Sequence, residues 1–254
     1  MENMFDLSGK YAFVTGGAGG IGYAAAMALA QYGAKVTIAD YNSELLKESV
    51  EKAKQKGIAF NSISLDVSDE KSVIEAVEKQ KRLGGIDILI NSAAVTIRKK
   101  IEDLETSEWN RIINTNLNGA YYIGKHVSEL MIEQNRGGRI IYIVSTGAYR
   151  ASAKFGAYSA SKAGVVMLMK TLALELAEYN ILCNAIAPTA TDTAFTAKYY
   201  EENPAIKESV INNHPLKRLA TPEDYQGIVL YLASNASNFT TGSLFVVDGG
   251  KTAK

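Results

Sequence analysis

The chain has 254 residues, of which 47% are hydrophobic, enough to bury one large α/β core. Its 27 basic residues balance its 27 acidic residues, so no net charge would attract nucleic acid or an anionic lipid surface. The single cysteine, Cys183, excludes an internal disulfide, and no apolar run reaches the roughly 18 residues of a membrane span. The acidic start, residues 1–6, lacks the basic-then-apolar order of a signal peptide. We therefore expect a cytoplasmic protein that binds neither nucleic acid nor membranes.

Short runs rich in β-branched residues alternate with segments of helical period. The predicted strands are Tyr11–Thr15, Lys35–Asp40, Ala59–Asp66, Ile86–Asn91, Arg139–Ser145, Ile181–Ala187 and Ser243–Asp248. Alternation of this kind makes neighbouring strands parallel, because a parallel neighbour needs a crossover connection. The sequence predicts one α/β domain over residues 1–254, a doubly wound, seven-stranded parallel sheet flanked by helices.

The segment from about 189 to 214 reads as one long irregular stretch after the sixth strand. It is rich in Thr, Asn and Tyr, and ligands of open parallel sheets bind beyond the carboxyl ends of the strands. We expect this segment, called the lid segment below, to cover a substrate.

A glycine cluster directly follows the first strand and opens an alanine-rich helix. Gly16, Gly20 and Gly22 permit a tight turn and leave room for a phosphate at the helix N-terminus. In a Rossmann fold this turn holds the pyrophosphate of a dinucleotide. Asp40 ends the second strand, where a carboxylate accepts ribose hydroxyls and repels a 2′-phosphate. No Arg or Lys occupies positions 17, 18 or 41, so we expect NAD rather than NADP.

Tyr158 and Lys162 are four residues apart and share one helix face. An ammonium beside a phenol lowers the phenol pKa from its usual value near 10 toward the range of a working acid or base. Ser145 ends a strand thirteen residues before Tyr158 and would stabilise a developing alkoxide from the other side. Tyr121 and Lys125 have the same spacing without such a serine, and we interpret them as ordinary helix residues.

These motifs resemble the short-chain dehydrogenase/reductase family, with the spacing T-G-x-x-x-G-x-G, the serine-to-tyrosine interval and Y-x-x-x-K, over residues 10–250. The resemblance implies that Ser145, Tyr158 and Lys162 act with an asparagine, Asn116 by position, which holds a proton-relay water. It also implies a homotetramer built on the helices within residues 107–134 and 158–179. The cofactor contacts that it implies are Gly16, Gly20, Ile21, Gly22, Asp40, Asp66, Val67, Asn91, Tyr158, Lys162, Pro188 and Thr193.

Three positions depart from the family pattern. Ser92 and Ala94 replace an asparagine and a glycine after the fourth strand, so we expect an altered nicotinamide pocket. Thr189 replaces a glycine after Pro188, which would cost backbone freedom if a positive φ were needed.

Basic residues follow the fourth and fifth strands at the predicted substrate entrance. Arg98, Lys99 and Lys100 follow one strand and Arg150 the other, and a carboxylate or polyol would suit them, with Arg98 and Arg150 as the substrate contacts. An arginine at the position of Arg98 is a further resemblance, to the gluconate 5-dehydrogenase-like branch of the family. The predicted reaction is the NAD(H)-dependent interconversion of a secondary alcohol and a ketone, on a sugar acid or polyol.

Other functions remain open on the sequence. A 3-oxoacyl-carrier-protein reductase has this catalytic set but typically uses NADPH, which Asp40 opposes. A hydroxysteroid dehydrogenase would prefer a more apolar lid. A non-catalytic dinucleotide-sensing protein usually loses the tyrosine or lysine. The histidines, His126 and His214, lack metal-ligand spacing, so no metal site is predicted.

Overall fold

The computed structural model describes residues 3–253, so residues 1, 2 and 254 lie outside it. A single parallel sheet runs through the molecule in the order β3-β2-β1-β4-β5-β6-β7. Its strands are β1 (Tyr11–Thr15), β2 (Lys35–Asp40), β3 (Phe60–Ser64), β4 (Ile88–Asn91), β5 (Gly138–Ile143), β6 (Ile181–Pro188) and β7 (Leu244–Val247). The predicted doubly wound, seven-stranded sheet is confirmed, with its switch in strand order between β1 and β4.

The hydrophobic pattern overestimates the length of several strands. β1 and β2 have the predicted bounds, whereas β4 begins at Ile88 and β5 ends at Ile143. Ile86 and Val144, just outside these strands, are buried. Their side chains are apolar because they pack in the core, although the regular pairing of the strands does not include them.

Helices cover both faces of the sheet, because successive strand residues point to opposite sides. The helices are α1 (Gly20–Gln31), α2 (Ser43–Gln55), α3 (Glu70–Arg82), α4 (Thr106–Ile113), α5 (Gly119–Gln134), α6 (Gly156–Glu175), α7 (Ala194–Glu202), α8 (Pro204–Asn213) and α9 (Gln226–Ala233). On one face Phe13 packs in a cluster with residues of α3, α5 and α6, and on the other Val14 packs with residues of α1, α2 and α9.

The lid segment is helical, and the expectation of an irregular stretch was wrong. It contains α7 and α8. Thr193 caps α7 and exchanges hydrogen bonds with Thr196 in a capping box, and Pro204 occupies the first turn of α8. These start signals were present in the sequence, but the polar composition between them hid the helical period.

A short π-helical turn, Asn114–Asn118, joins α4 to α5. The sequence predicts one uninterrupted helix here, and the chain does remain helical from Thr106 to Gln134. A π turn takes one more residue than an α turn and is frequently found at functional sites. Here it contains Asn116, whose side chain is buried.

Outward apolar side chains occur on α5 and α6. Tyr121, Met167 and Leu174 are exposed, whereas Val165 and Met169 lie in the core. These helices therefore have apolar residues on more than one face, as the sequence indicates. Within residues 3–253, no helix combines the length and the apolar character that crossing a bilayer requires.

Candidate active site

A cavity of about 1010 Å³ opens at the carboxyl ends of the strands. Its walls come mainly from the loops that follow strands β1 to β6 and from the lid segment, and Lys251 after β7 also lines it. This is where the crossover rule for parallel sheets places ligands, beside the switch in strand order. The lining residues give the cavity one acidic and one basic end, which are described in turn.

The glycine turn after β1 forms one wall. Gly16 has a φ of +62°, and a Cβ there would lie 2.7 Å from the backbone nitrogen of Ala93. No side chain caps the N-terminus of α1, and its first turn contains no acidic residue. The first backbone amides of α1 are therefore free for an anion. A bare backbone and an uncapped helix N-terminus fit the pyrophosphate of a dinucleotide.

Asp40 marks the acidic end of the cavity. Its carboxylate accepts hydrogen bonds from the backbone nitrogen of Ala18 at 3.4 Å and from that of Asn42 at 3.1 Å. Asp66 and Val67 line the same cavity, and the Asp66 carboxylate accepts hydrogen bonds from the residue two positions later. An acidic group next to the glycine turn suits the ribose of an adenosine and disfavours an added phosphate there.

Most of the predicted cofactor residues line this cavity, and two do not. The lining includes Gly16, Gly20, Ile21, Asp40, Asp66, Val67, Tyr158, Lys162, Pro188 and Thr193. Gly22 lies behind the turn, where a Cβ would collide with the carbonyl oxygen of Gly16. Asn91 is buried, and its Oδ1 accepts a hydrogen bond of 2.7 Å from the hydroxyl of Thr15. Both residues shape the turn from within the fold.

Tyr158 and Ser145 lie in the opposite wall. Ser145 begins the short 3₁₀ helix after β5 and accepts a hydrogen bond of 3.0 Å from the backbone nitrogen of Gly147. Burial raises the pKa of Tyr158 to about 12, opposed by the hydroxyl of Ser145 and by the charge of Arg98. The sequence predicted that a lysine would lower this pKa. Desolvation of the phenolate is the largest influence on this pKa, so the phenol is protonated at neutral pH.

Lys162 is buried one helical turn from Tyr158. Its Nζ donates a hydrogen bond of 2.9 Å to the carbonyl oxygen of Ile143 and lies 5.8 Å from the centre of the Tyr158 ring. Burial lowers the pKa of Lys162 to about 8. A pKa this close to neutral means that the amine loses its proton more readily than an exposed lysine does. Burial disfavours the charged form, and the hydrogen bond to the Ile143 carbonyl does not offset that cost.

Asn116 is buried and does not line the cavity. Its Nδ2 donates to the carbonyl oxygen of Val95 at 2.9 Å and to the hydroxyl of Ser161 at 3.1 Å. Its Oδ1 accepts from the backbone nitrogen of Val95 at 2.8 Å. The side chain thus ties the loop after β4 to α6, and both hydrogens of its amide group are engaged in these bonds.

Arg98 lies at the other end of the cavity, in a cage of aromatic rings. Its guanidinium carbon is 3.6 Å from the ring centre of Tyr199 and 5.2 Å from that of Phe155, with Tyr200 at 5.9 Å. Stacking of this kind positions an arginine without neutralising it. Its Nε and one Nη are buried and have no acceptor within residues 3–253. Because Arg98 also lines the cavity, its guanidinium is a candidate for binding an anionic group there.

The other predicted basic residues point elsewhere. Lys99 pairs with Glu108 at 2.7 Å and Lys100 pairs with Glu102 at 3.3 Å. Arg150 is exposed, and its guanidinium donates to the backbone after β7 instead of lining the cavity. Of the basic residues predicted to line the substrate entrance, only Arg98 lines the cavity. Lys99 and Lys100 form ion pairs with nearby acidic residues instead.

Sequence reasoning missed several lining residues. No sequence motif indicated that the aromatic cage of Arg98, Arg111 or Lys251 would line the cavity. The aromatic pair Tyr199–Tyr200 was visible in the lid segment, and only the folded lid brings it to Arg98. Lys251 follows the turn that ends β7, and its proximity to the site depends on how that turn closes.

The departure at Thr189 does not strain the backbone. Thr189 is absent from the residues with positive φ, and its hydroxyl lies 2.8 Å from Nε2 of His214. Ser92 and Ala94 line the cavity.

The two histidines contact protein groups. His214 is buried, and His126 contacts Glu70 and Glu129. Within the described part of the chain, no group of His, Cys, Asp and Glu is arranged to hold a metal.

Known proteins are similar to this chain over nearly its full length. The family model described as enoyl-(acyl carrier protein) reductase matches residues 16–252. An uncharacterized oxidoreductase of Thermotoga maritima is 38% identical over 98% of both chains. A 3-oxoacyl-[acyl-carrier-protein] reductase of the same organism is 36% identical over 96% of this chain and 98% of its own. The 5-keto-D-gluconate 5-reductase of Escherichia coli is 34% identical over 98% of both.

A solved structure extends the comparison to three dimensions. The gluconate 5-dehydrogenase of Burkholderia cenocepacia, in complex with NADP and tartrate, superimposes with a TM-score of 0.93. It is 30% identical, and the match covers 99% of this chain and 98% of that one. Sequence motifs, sheet order and cavity agree with these similarities. The chain belongs to the short-chain dehydrogenase/reductase family, whose oxidoreductases bind a nicotinamide dinucleotide.

Proposed function

We propose that this enzyme interconverts a secondary alcohol and a ketone on a sugar acid or polyol, with NAD(H) as its cofactor. The observation that carries the proposal is Arg98, which lines the same cavity as Tyr158 and Ser145 and whose Nε and one Nη have no acceptor within residues 3–253. An anion-binding group and a proton-transfer group in one cavity suit a substrate with both a carboxylate and a hydroxyl.

In the proposed reaction the bound dinucleotide supplies or accepts the hydride. The Tyr158 phenol, protonated at neutral pH, donates its proton to the ketone oxygen in the reducing direction and takes it back in the oxidising one. The hydroxyl of Ser145 donates a hydrogen bond to the developing oxyanion. Lys162, with a pKa of about 8, supplies positive charge that favours the phenolate formed. Asn116 keeps α6 and the loop after β4 in place.

The preference for NAD rests on Asp40. Its carboxylate lies beside the glycine turn, and the basic residues that line the cavity are Arg98, Arg111, Lys162 and Lys251, none of which belongs to that turn or to the end of β2. A 2′-phosphate would therefore meet a negative charge. The relative from Burkholderia holds NADP, so cofactor choice needs a direct test. We expect Asp40→Ala to lower kcat/KM with NAD and to raise it with NADP.

Absorbance at 340 nm with matched variants tests the reaction. The panel contains sugar acids, polyols, short ketones, a steroid and an acyl thioester, each with NAD(H) and with NADP(H). We expect turnover of a sugar acid or polyol with NAD(H), reduced by about 10²-fold or more in Tyr158→Phe. Tyr121→Phe is the control, because Tyr121 has the same spacing to a lysine but is exposed on α5. Equal rates in wild type and Tyr158→Phe would overturn the mechanism.

Arg98→Met separates substrate binding from the reaction. Methionine keeps the apolar stem against the aromatic rings and removes the charge. We expect KM for a sugar acid to rise by about tenfold or more, while KM for an uncharged polyol stays within about twofold. Unchanged KM values for every acid in the panel would remove the carboxylate from the proposal.

Two alternatives are favoured by particular observations. The similarity to a 3-oxoacyl-[acyl-carrier-protein] reductase supports that activity, and the thioester with NADPH tests it. The lid segment lines the cavity with Phe195, Ile206 and Val210, a more apolar set than its sequence suggests, which suits a hydroxysteroid. Tight NADH binding without any turnover would indicate a non-catalytic dinucleotide-sensing protein.

We further propose a homotetramer in the cytoplasm. The exposed apolar residues of α5 and α6, among them Tyr121, Met167 and Leu174, support subunit contacts on these helices. The lone cysteine, Cys183, is buried and unpaired, as suits a reducing compartment. Light scattering coupled to size exclusion should give four times the mass of the chain, and a monomer would overturn the assembly.

A further inference from the structure

The backbone after β7 folds back onto the loop that follows Ser145. Asp248 begins the turn, and its carboxylate accepts hydrogen bonds from the nitrogen of Thr252 at 2.8 Å and from its hydroxyl at 2.6 Å. The hydroxyl of Tyr149 lies 3.0 Å from that of Thr252. The guanidinium of Arg150 donates to the carbonyl oxygen of Lys251 at 2.9 Å. The main chain of Lys251 is therefore fixed from both sides, next to the catalytic loop.

Lys251 lines the cavity and is partly buried. Within residues 3–253 its Nζ makes no hydrogen bond, and Asp248 acts on it only through its charge. Burial lowers its pKa, as does the charge of Arg150, while Asp248 has the opposite effect. The Asp248 carboxylate is already used by the turn. The ammonium of Lys251 is therefore free to pair with a negative charge that a ligand brings into the cavity.

Lys251 and Arg98 are basic residues that line the same cavity. The acidic residues that line the cavity are Asp40 and Asp66, both near the glycine turn, and none lies among the lining residues of the lid segment. The charge of Arg98 reaches the Tyr158 phenol, whereas the charge of Lys251 interacts with Arg150 and Asp248.

Resting on the proposed function, we propose that Lys251 is a specificity-determining residue that binds a second anionic group of the substrate. A sugar acid with one carboxylate satisfies Arg98 and leaves Lys251 unpaired. A sugar diacid satisfies both. The enzyme therefore favours dicarboxylates over monocarboxylates of the same length and stereochemistry, because each added charge is matched by a cation already fixed in the cavity.

The experiment compares a matched substrate pair, glucarate and gluconate, in the full-length enzyme with NAD. We expect a higher kcat/KM for glucarate in the wild type. In Lys251→Met the ratio of glucarate to gluconate should fall by about tenfold or more, mainly through KM, with gluconate nearly unchanged. Lys251→Arg should restore the preference. Lys154→Met is the control, because Lys154 is exposed in the same region and does not line the cavity.

The outcomes distinguish this inference from the function on which it rests. Turnover of gluconate with a ratio that Lys251→Met leaves unchanged overturns the role of Lys251 and leaves the sugar-acid activity standing. Turnover of neither acid, with oxidation of a steroid or reduction of the thioester, overturns both. Calorimetric titration of glucarate into the enzyme–NADH complex gives a readout independent of turnover, and we expect its Kd to rise in Lys251→Met.

Discussion

The Nε2 atom of His214 lies 2.8 Å from the hydroxyl of Thr189. Thr189 follows the end of β6 and His214 follows the end of α8, so one hydrogen bond connects the two ends of the lid segment. The Nδ1 atom of His214 is 2.6 Å from the carbonyl oxygen of Val210. Nδ1 therefore carries the proton, and Nε2 accepts from the threonine.

Removal of this hydroxyl should destabilise the protein. Thr189→Val preserves shape and leaves a buried histidine nitrogen without its donor, at a cost of about 1–3 kcal/mol in the free energy of unfolding. Urea denaturation measures this loss in the free energy of unfolding. Thr171→Val, on the exposed side of α6, should change stability by less than about 0.5 kcal/mol. A stability equal to wild type in Thr189→Val would show that the two lid ends do not depend on this bond.

Gly16→Ala should weaken dinucleotide binding. The residue has a φ of +62°, and an added methyl group would lie 2.7 Å from the backbone nitrogen of Ala93, so the turn must shift to accommodate it. We expect the Kd for NADH, measured by fluorescence titration, to rise by about tenfold or more. Gly227→Ala is the matched control, because nothing lies within 4 Å of its Cβ position, and NADH should bind it as it binds wild type.

Asn116→Asp should act on stability as well as on turnover. An oxygen would replace the Nδ2 that donates to Val95 and Ser161, so we expect a loss of about 1–3 kcal/mol in the free energy of unfolding. Asn118→Asp, whose amide bonds only to the exposed Asn114, serves as the control. If Asn116→Asp unfolds like wild type yet loses activity, the residue acts on the reaction and not through the connection it makes.

Acid unfolding should reveal how much the ion pair between Arg218 and Asp224 stabilises the protein. The hydrogen bond with Arg218, followed by that with the backbone of Thr221, lowers the pKa of Asp224 to about 2. Because the native pKa is below the unfolded value of about 3.9, the stabilisation is present above about pH 4 and disappears as the pH falls toward about 2. The pair is partly exposed, so Arg218→Gln should lower the stability only slightly at neutral pH.

Circular dichroism in moderate urea measures the difference in stability between wild type and Arg218→Gln, from neutral pH down to the pKa of Asp224. The curves of wild type and Arg218→Gln should converge as Asp224 becomes protonated. A gap that stays constant over the whole acid range would mean that packing of the arginine stem, and not its charge, accounts for the stability difference.

Local sequence determined the framework of this protein. Alternating strand and helix periods predicted the parallel sheet, because each period depends on which side chains point inward. The glycine turn, Asp40 and the interval from Ser145 to Tyr158 identified one edge of that sheet as the site. These features are short-range, so their chemistry is visible without any tertiary contact.

Only the tertiary structure decided the charge and shape of the substrate end. Lys99, Lys100 and Arg150 looked equivalent to Arg98 in sequence, yet acids nearby or a backbone carbonyl take up the first three. Arg98 remains free because aromatic rings of the lid segment and of Phe155 surround it. Lys251 reaches the cavity through a turn held by residues far away in the sequence. Whether a charge is neutralised or available depends on its neighbours in space, which local periodicity does not specify.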